Sequence, residues 1–154
     1  MMFNTAIIRD AKPSDLDGLI DLCQQHAQFE LSEYNPAGKK QRLQQHLFAA
    51  GSTVQALVVE LDQQLIGYAT FIPQFSTWDA GYYLYLDCLF LNELSRGRGL
   101  GESLMESIKQ RAQALDCHLI QWQTPEFNTG AIKFYHRIGA TAKSKQRFFL
   151  SLED

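Results

Sequence analysis

The stretch Tyr82-Tyr83-Leu84-Tyr85-Leu86-Asp87-Cys88-Leu89-Phe90-Leu91 runs through Asn92-Glu93-Leu94-Ser95 into Arg96-Gly97-Arg98-Gly99-Leu100-Gly101, and its reading decides the fold. The first ten residues are aromatic or aliphatic except for Asp87 and Cys88, the pattern of a buried strand. The glycines follow, and from Leu100 the apolar residues Leu104, Ile108, Ala112 and Leu115 recur at helical spacing. A strand, a glycine turn and a helix start, in that order, form an anion-binding device. The freed backbone N–H groups and the helix dipole both favour negative charge there. The bland alternative is a loop whose glycines serve geometry alone.

Outward from this segment the elements alternate. His118–Gln123 is expected as a strand, Asn128–Arg137 as a short helix closed by Gly139, and Gln146–Leu152 as a last strand. Upstream, Phe3–Arg9 is a first strand, and Pro13 with Asp15 and Asp17 opens a helix that runs to about Phe29. Leu16, Ile20, Cys23 and Ala27 are its expected buried face. Lys39–Ala49 is a second helix, with Leu43, Leu47 and Phe48 turned inward and Gly51 ending it. Thr53–Leu61 and Leu65–Ile72 form a hairpin about Asp62-Gln63-Gln64, and Pro73–Gly81, with Trp78, is a loop. This order describes an α/β sandwich with a mixed sheet rather than a doubly wound fold.

The 154 residues suit a single domain spanning 1–154. A net charge of −3 without a basic run argues against nucleic-acid binding. No apolar run approaches membrane-spanning length, and Met1–Thr5 lacks the pattern of a signal peptide. Cys23, Cys88 and Cys117 are odd in number and widely spaced, as expected of reduced thiols in a cytoplasmic protein. No metal is expected.

Asp87 is the informative residue of the central strand. Ionised and dry, it would cost several kcal/mol. It therefore faces a polar cleft, finds a partner or has a raised pKa, and each outcome suits a general base. The alternative is a structural carboxylate that satisfies a backbone donor. Plain alternation puts Tyr83, Tyr85, Asp87 and Leu89 on one face and Leu84, Leu86, Cys88 and Phe90 on the other. Cys88 is then a core residue. A covalent route through it would need a base, and no histidine is visibly placed for that work.

The glycine turn matches neither a dinucleotide fingerprint nor a Walker loop. As R-x-x-G-x-G, with Arg96, Gly99 and Gly101, it resembles the acetyl-CoA pyrophosphate loop of the GNAT superfamily of N-acetyltransferases. Asn128 followed by Ala131-Ile132-Lys133-Phe134-Tyr135 and Gly139-Ala140 resembles the second signature of that superfamily. The two signatures are correctly ordered, and the resemblance covers nearly the whole chain. It implies a three-layer sandwich, with a mostly antiparallel sheet of about seven strands flanked by about four helices.

The resemblance also implies roles. The backbone of Leu89, Phe90 and Leu91 would pair with the pantetheine arm of acetyl-CoA. Arg96, Gly97, Arg98, Gly99, Leu100, Gly101 and Glu102 would hold its pyrophosphate. Asn128 and Ala131 would lie along the cofactor, and Tyr135 would reach the thioester sulfur. Asp87 would guide a proton away from the acceptor amine, directly or through water. Taken with Phe29, Glu30, Glu33 and Trp78 as acceptor-binding residues, the sequence is similar to the diamine and polyamine branch, which includes enzymes acting on lysine-like amino acids. Asp87-Cys88 stands where that branch carries Glu-Asp. Lys143, Lys145 and Arg147 stand where polyamine enzymes carry acids, which favours a short diamine, an amino acid or a zwitterion. A protein N-terminal or lysine acetyltransferase and a non-catalytic acyl-CoA-binding module are the alternatives. Homodimerisation is common in the branch, and the apolar Phe148-Phe149-Leu150 would permit it.

Overall fold

The computed structural model describes residues 5–153, so Phe3 and Asn4, which begin the first expected strand, lie outside the described residues. The chain divides into two compact units, one ending at Gln123 and the other starting at Thr124.

The first unit is built on a mixed five-stranded sheet in the order β1 (Ile7–Asp10), β2 (Gln55–Leu61), β3 (Gln64–Ser76), β4 (Gly81–Leu91), β5 (Ile120–Gln121). The first four strands run antiparallel and β5 joins β4 in parallel. Helices α1 (Leu16–Phe29) and α2 (Lys39–Phe48) precede the hairpin, and α3 (Leu100–Ala114) links β4 to β5. With α4 (Thr129–Arg137) in the second unit, the described residues hold four α-helices.

Polar contacts explain how α1 starts. Pro13 opens a 3-10 turn, and the Asp15 carboxylate accepts from the Lys12 backbone N–H at 2.8 Å. Both Asp15 oxygens also accept from Arg9, at 2.8 and 2.9 Å. The Arg9 guanidinium holds this carboxyl below the usual carboxylate range against the opposing effect of burial. The buried stripe of α1 is Leu16, Leu19 and Leu22, rotated from the expected one, and Cys23 is only partly covered. Leu19 and Leu22 pack with Val58, Tyr68 and Phe90 on one face of the sheet. Register places Leu57, Ala69, Phe71, Leu84 and Leu86 on the opposite face, where all five are buried. There α3, with Leu104 and Ile108 inaccessible to solvent, packs against β4.

Three expected boundaries move. The hairpin turns on Asp62 and Gln63, both with positive φ, and β3 runs on to Ser76. The strand is expected to end at Ile72, but beyond Phe71 only β4 pairs with β3, so Pro73 sits where one edge needs no donor and the strand continues. The expected loop 73–81 thus shrinks to a turn at 77–80.

The second unit holds α4 (Thr129–Arg137). The Gly139 N–H bonds the His136 carbonyl at 3.0 Å and the Ala140 N–H the Tyr135 carbonyl at 3.0 Å, with Gly139 at φ 98°. That is a Schellman cap, and it gives the Gly-Ala pair its physical reason. The last strand expected at Gln146–Leu152 does not form. These residues find no ladder partner, and Phe148, Phe149, Leu150 and Leu152 are exposed. Among the described residues the sheet therefore has five strands, fewer than the sequence suggested. No helix among the described residues is long and apolar enough to cross a membrane.

Candidate active site

The site of interest begins where β4 loses regularity. Thr70 pairs with Cys88 and Phe71 with Leu86, so Asp87 is an extra residue without an opposite number, a β-bulge. One added residue reverses the alternation beyond it. Before the bulge, Leu84 and Leu86 share the face of Phe71 and Ala69. After it that face belongs to Leu89, while Cys88 and Phe90 turn to the face of Thr70 and Tyr68. The expectation that Cys88 lies with Leu84 and Leu86 is therefore corrected: it packs by α1, beside Tyr68 and Phe90. Asp87 itself is exposed, and of the outcomes open to it in the sequence this is solvent contact.

The same point marks a change in pairing. Parallel β5 pairs with β4 only at Leu84 and Tyr85. From Leu86 to Leu91 no strand among the described residues pairs with that edge of β4. Its backbone groups there are aligned as an extended ligand would need them.

The open edge leads into the glycine turn. Asn92 Oδ1 accepts from the Leu94 N–H at 3.0 Å, and Ser95 Oγ donates to the Asn92 carbonyl at 2.7 Å, which fixes the 3-10 turn Glu93–Ser95. Gly97 and Gly99 then take φ of 74° and 68°, a region that penalises residues bearing a Cβ. A Cβ at either would meet open space, so backbone conformation rather than crowding asks for glycine. Gly99 caps α3 without a side-chain acceptor, leaving the first-turn N–H groups of Leu100, Gly101 and Glu102 for another partner. Arg96 and Arg98 are exposed beside them, and the Arg98 Nε–H donates to the Leu94 carbonyl at 3.3 Å. This donor-rich, uncapped turn fits a pyrophosphate.

Of the acceptor-side residues, Glu30 ends α1 and accepts from or shares a proton with His26 Nε2 at 2.7 Å. Phe29 leans on Phe90, with ring centroids 6.2 Å apart. Glu33 is exposed. Trp78 is almost fully exposed in the turn between β3 and β4. Asp87 lies roughly 20 Å along the strand from that turn, at about 3.3 Å per residue. Phe29 and Glu30 are thus brought to the side of β4 that holds Phe90, and Trp78 stands apart.

In the second unit, Asn128 precedes α4 and donates from Nδ2 to Thr124 Oγ1 at 3.2 Å. Ala131 lies in its first turn. Tyr135 sits in its last turns with its ring 5.7 Å from that of Phe134.

Two residues escaped the sequence reading. His26 Nδ1 lies 2.8 Å from the hydroxyl of the buried Tyr68, and Cys23 and Cys88 pack against the same cluster. The available signal was the i,i+4 pair His26 and Glu30, on the helical stripe continued from Leu19 and Leu22. Burial pushes the Cys88 thiol up to about 11, with the Asp87 charge adding to the shift, and burial raises the Tyr68 phenol further. Neither group is a ready nucleophile at neutral pH. Among the described residues, no cluster of three or more His, Cys, Asp or Glu side chains could hold a metal ion.

The acetyltransferase (GNAT) family model matches residues 19–140, which span the bulge, the glycine turn and α4. The chain belongs to the GNAT acetyltransferase family. It is an acetyltransferase with the α/β GNAT fold. This GNAT chain is 22% identical over 152 residues to mouse (Mus musculus) thialysine N-epsilon-acetyltransferase, covering 94% of this chain and 89% of that one. It is 28% identical over 79 residues to an L-ornithine N5-acetyltransferase of Arabidopsis thaliana, a match spanning 51% of this chain and 35% of that protein. Among solved structures, an aminoglycoside N-acetyltransferase in complex with CoA superposes with a TM-score of 0.81 at 16% identity, over 98% of this chain and 97% of the other.

Proposed function

We propose that residues 1–154 form one acetyl-CoA-dependent domain that acetylates the primary amine of a small molecule by direct attack in a ternary complex. The observation that carries this reading is the edge of β4 left open from Leu86 to Leu91, running straight into the uncapped turn Arg96–Glu102. The full-length likeness to a thialysine enzyme and the partial likeness to an ornithine enzyme support a diamine or lysine-like acceptor over a long polyamine.

When bound, acetyl-CoA supplies an activated acyl group. The backbone of Leu89, Phe90 and Leu91 holds its pantetheine arm, and the N–H groups of residues 97–102, with Arg96 and Arg98, hold its pyrophosphate. The Leu89 N–H is the donor for the oxyanion. An alkyl amine of pKa about 10.4 is neutral in roughly one molecule in two thousand at pH 7, so the site must assist deprotonation. Asp87, the exposed carboxylate of the bulge, takes that proton directly or through water. Phe29, Glu30 and Glu33 present an apolar and anionic surface to the remainder of the acceptor. Asn128, Ala131 and Tyr135 carry the roles of the second signature, with Tyr135 hydrogen-bonding the departing sulfur. A phenol near pKa 10 gives its proton to a thiolate near 8.5 at a cost of about 2 kcal/mol, so stabilising charge is the larger part of that role.

The test is incubation with acetyl-CoA and a pool of diamines, polyamines, lysine-like amino acids and aminoglycosides, with products identified by mass. Mass detection avoids thiol reagents that Cys23, Cys88 and Cys117 would consume. A singly acetylated small amine is expected. Acetylated peptides with no acetylated small amine would replace this reading with a protein acetyltransferase. Acetyl-CoA binding without any turnover would replace it with an acyl-CoA-binding module.

A further inference from the structure

The end of α1 carries a residue that its position disfavours. Glu30 caps the helix at its carboxyl end, where the dipole opposes negative charge. One turn earlier stands His26, with Nε2 2.7 Å from Glu30 Oε2. The other ring nitrogen, Nδ1, lies 2.8 Å from the Tyr68 hydroxyl. Phe90 stacks on the imidazole, with centroids 5.0 Å apart and planes 16° apart, and Tyr68 meets the ring edge-on at 5.8 Å. Tyr68 is 2% exposed, in the cluster with Leu19, Leu22 and Val58, so the anchor of this arrangement is core. Two hydrogen bonds and two aromatic rings thus hold the imidazole. Glu30 is half-buried, and among the described residues no hydrogen bond or ion pair uses its second oxygen, Oε1.

Packing alone does not account for these residues. Leucine and phenylalanine in place of His26 and Tyr68 would fill the space with no polar group to satisfy. A neutral residue in place of Glu30 would also remove the conflict with the dipole. The bonds have a direction. A carboxylate only accepts, so Nε2 carries a hydrogen and donates it to Glu30, while Nδ1 of the neutral ring accepts the Tyr68 O–H. One oxygen of Glu30 is fixed from the core, and the other is left for a cation. Phe29, 57% exposed and with its ring 6.2 Å from that of Phe90, adds apolar surface beside it. Phe90 lies three residues beyond Asp87 on β4, on the order of 10 Å along the strand.

We propose that His26 is a positioning residue for acceptor choice: anchored by Tyr68, it holds Glu30 so that the free carboxylate oxygen receives a second ammonium group of the acceptor. The proposal rests on the amine-acetyltransferase reading above, and it narrows the acceptors to diamines and diamino acids. Glutamate is rich in rotamers, and ordering it only on binding would weaken affinity. Here the ordering is completed when the chain folds. The bond from a neutral ring also leaves the full negative charge on Glu30. The first amine of the acceptor lies at Asp87, its alkyl chain crosses the aromatic surface of Phe29, and its second cation meets Oε1. A monoamine has nothing to place there, so it gains nothing from His26. This contact is the same before and during acetyl transfer, so its loss appears in KM and not in kcat.

The experiment measures KM and kcat of the full chain for diaminobutane and lysine, with butylamine as the acceptor that lacks a second cation. Asparagine places its amide near the Nδ1 position, so His26→Asn keeps a partner for Tyr68 and releases Glu30. Glutamine reaches the Nε2 position, so His26→Gln still donates to Glu30. His26→Asn should raise KM for the better of the two doubly cationic acceptors about tenfold, with kcat, the KM for butylamine and the KM for acetyl-CoA unchanged. His26→Gln should restore most of that loss, which a packing role would not do. Glu30→Gln should raise the same KM, and His26→Asn added to it should change little more, because the two residues act as one unit. A folded His26→Asn protein with wild-type KM, an equal rise for butylamine, or full additivity in the double variant would overturn the proposal. If His26→Asn fails to fold, the wild type decides through the imidazole nitrogen NMR signals of His26. They should move on adding diaminobutane and stay in place with butylamine, and the same response to both overturns the proposal. So does a wild type that acetylates only amines without a second cation. Wild-type protein that acetylates no amine removes the parent reading instead, so the two failures are distinguishable.

Discussion

The two halves of β4 are one strand doing two different things. Below the bulge, Leu84 and Leu86 are buried against α3 and the strand is paired on both sides, by β3 and by β5. Above it, Leu89 and Cys88 are only partly covered, β5 has departed, and the neighbouring Tyr68 hydroxyl meets His26 of α1. A single extra residue, Asp87, separates the halves. It ends the regular ladder, turns the following side chains over and leaves an edge unpaired. Stability should therefore reside below Asp87 and chemistry at and above it.

The sharpest way to break that division is to substitute on either side of it. Leu86→Ala leaves a cavity in a close-packed layer and should cost about 2–5 kcal/mol in urea unfolding, with kcat per folded molecule little changed. Asp87→Asn, one residue on and exposed, should leave stability within about 0.5 kcal/mol yet lower kcat at least about a hundredfold. A stable Leu86→Ala protein, or an Asp87→Asn protein with full turnover, would show that the bulge does not divide the strand in this way.

The sequence already showed the strand, the glycine turn and both signatures, because each is a local pattern with a local cause. The open turn was visible in Gly97 and Gly99, whose positive φ follows from chain geometry alone, and Gly139-Ala140 was visible as a helix end. The bulge was not. Tyr82–Leu91 is almost continuously apolar as a sequence and carries no mark of a bulge, and only pairing with Thr70 and Phe71 reveals that one residue is surplus. With the bulge hidden, Cys88 fell on the wrong face, and the bond between His26 and Tyr68, made across 42 positions of chain, could not be seen. Pro73 was misread for the same reason, since tolerance of an imino acid depends on which edge is free. The strand expected at Gln146–Leu152 failed in the opposite direction: its apolar run suits a sheet, and among the described residues it finds no ladder partner.

A smaller effect sharpens the contrast above the bulge. Burial raises the Cys88 thiol to about 11 in the folded protein, above its unfolded value near 9. Between those values the unfolded chain has lost the proton that the folded chain keeps. The contribution is therefore fully present below pH 9 and is lost as pH rises to about 11, on the order of 2 kcal/mol. Tyr68 and Tyr34 also titrate with raised values, so the quantity to measure is the difference between wild type and Cys88→Ala. Unfolding free energies at pH 8 and pH 11 should converge for the two proteins as the pH rises. Parallel losses would mean that Cys88 is open to solvent and that the half-strand above the bulge is not sealed from water at this point.

The smallest effect is expected at Trp78, and its smallness is informative. The indole is almost fully exposed in the turn that starts β4, at the end of the strand remote from Asp87. It covers no core residue that its loss would uncover, so Trp78→Ala should change stability by no more than about 0.5 kcal/mol. For a short diamine or an amino acid held at the bulge, KM should be unchanged as well, because roughly 20 Å of strand lies between. A several-fold rise in KM for a long polycationic acceptor, but not for a short one, would place the far end of that acceptor on the indole face. The acceptor site would then run along the whole of β4 rather than stop at its upper half. Equal KM for long and short acceptors would confine recognition to the region around Phe29, Glu30 and Asp87, where the strand stops being regular.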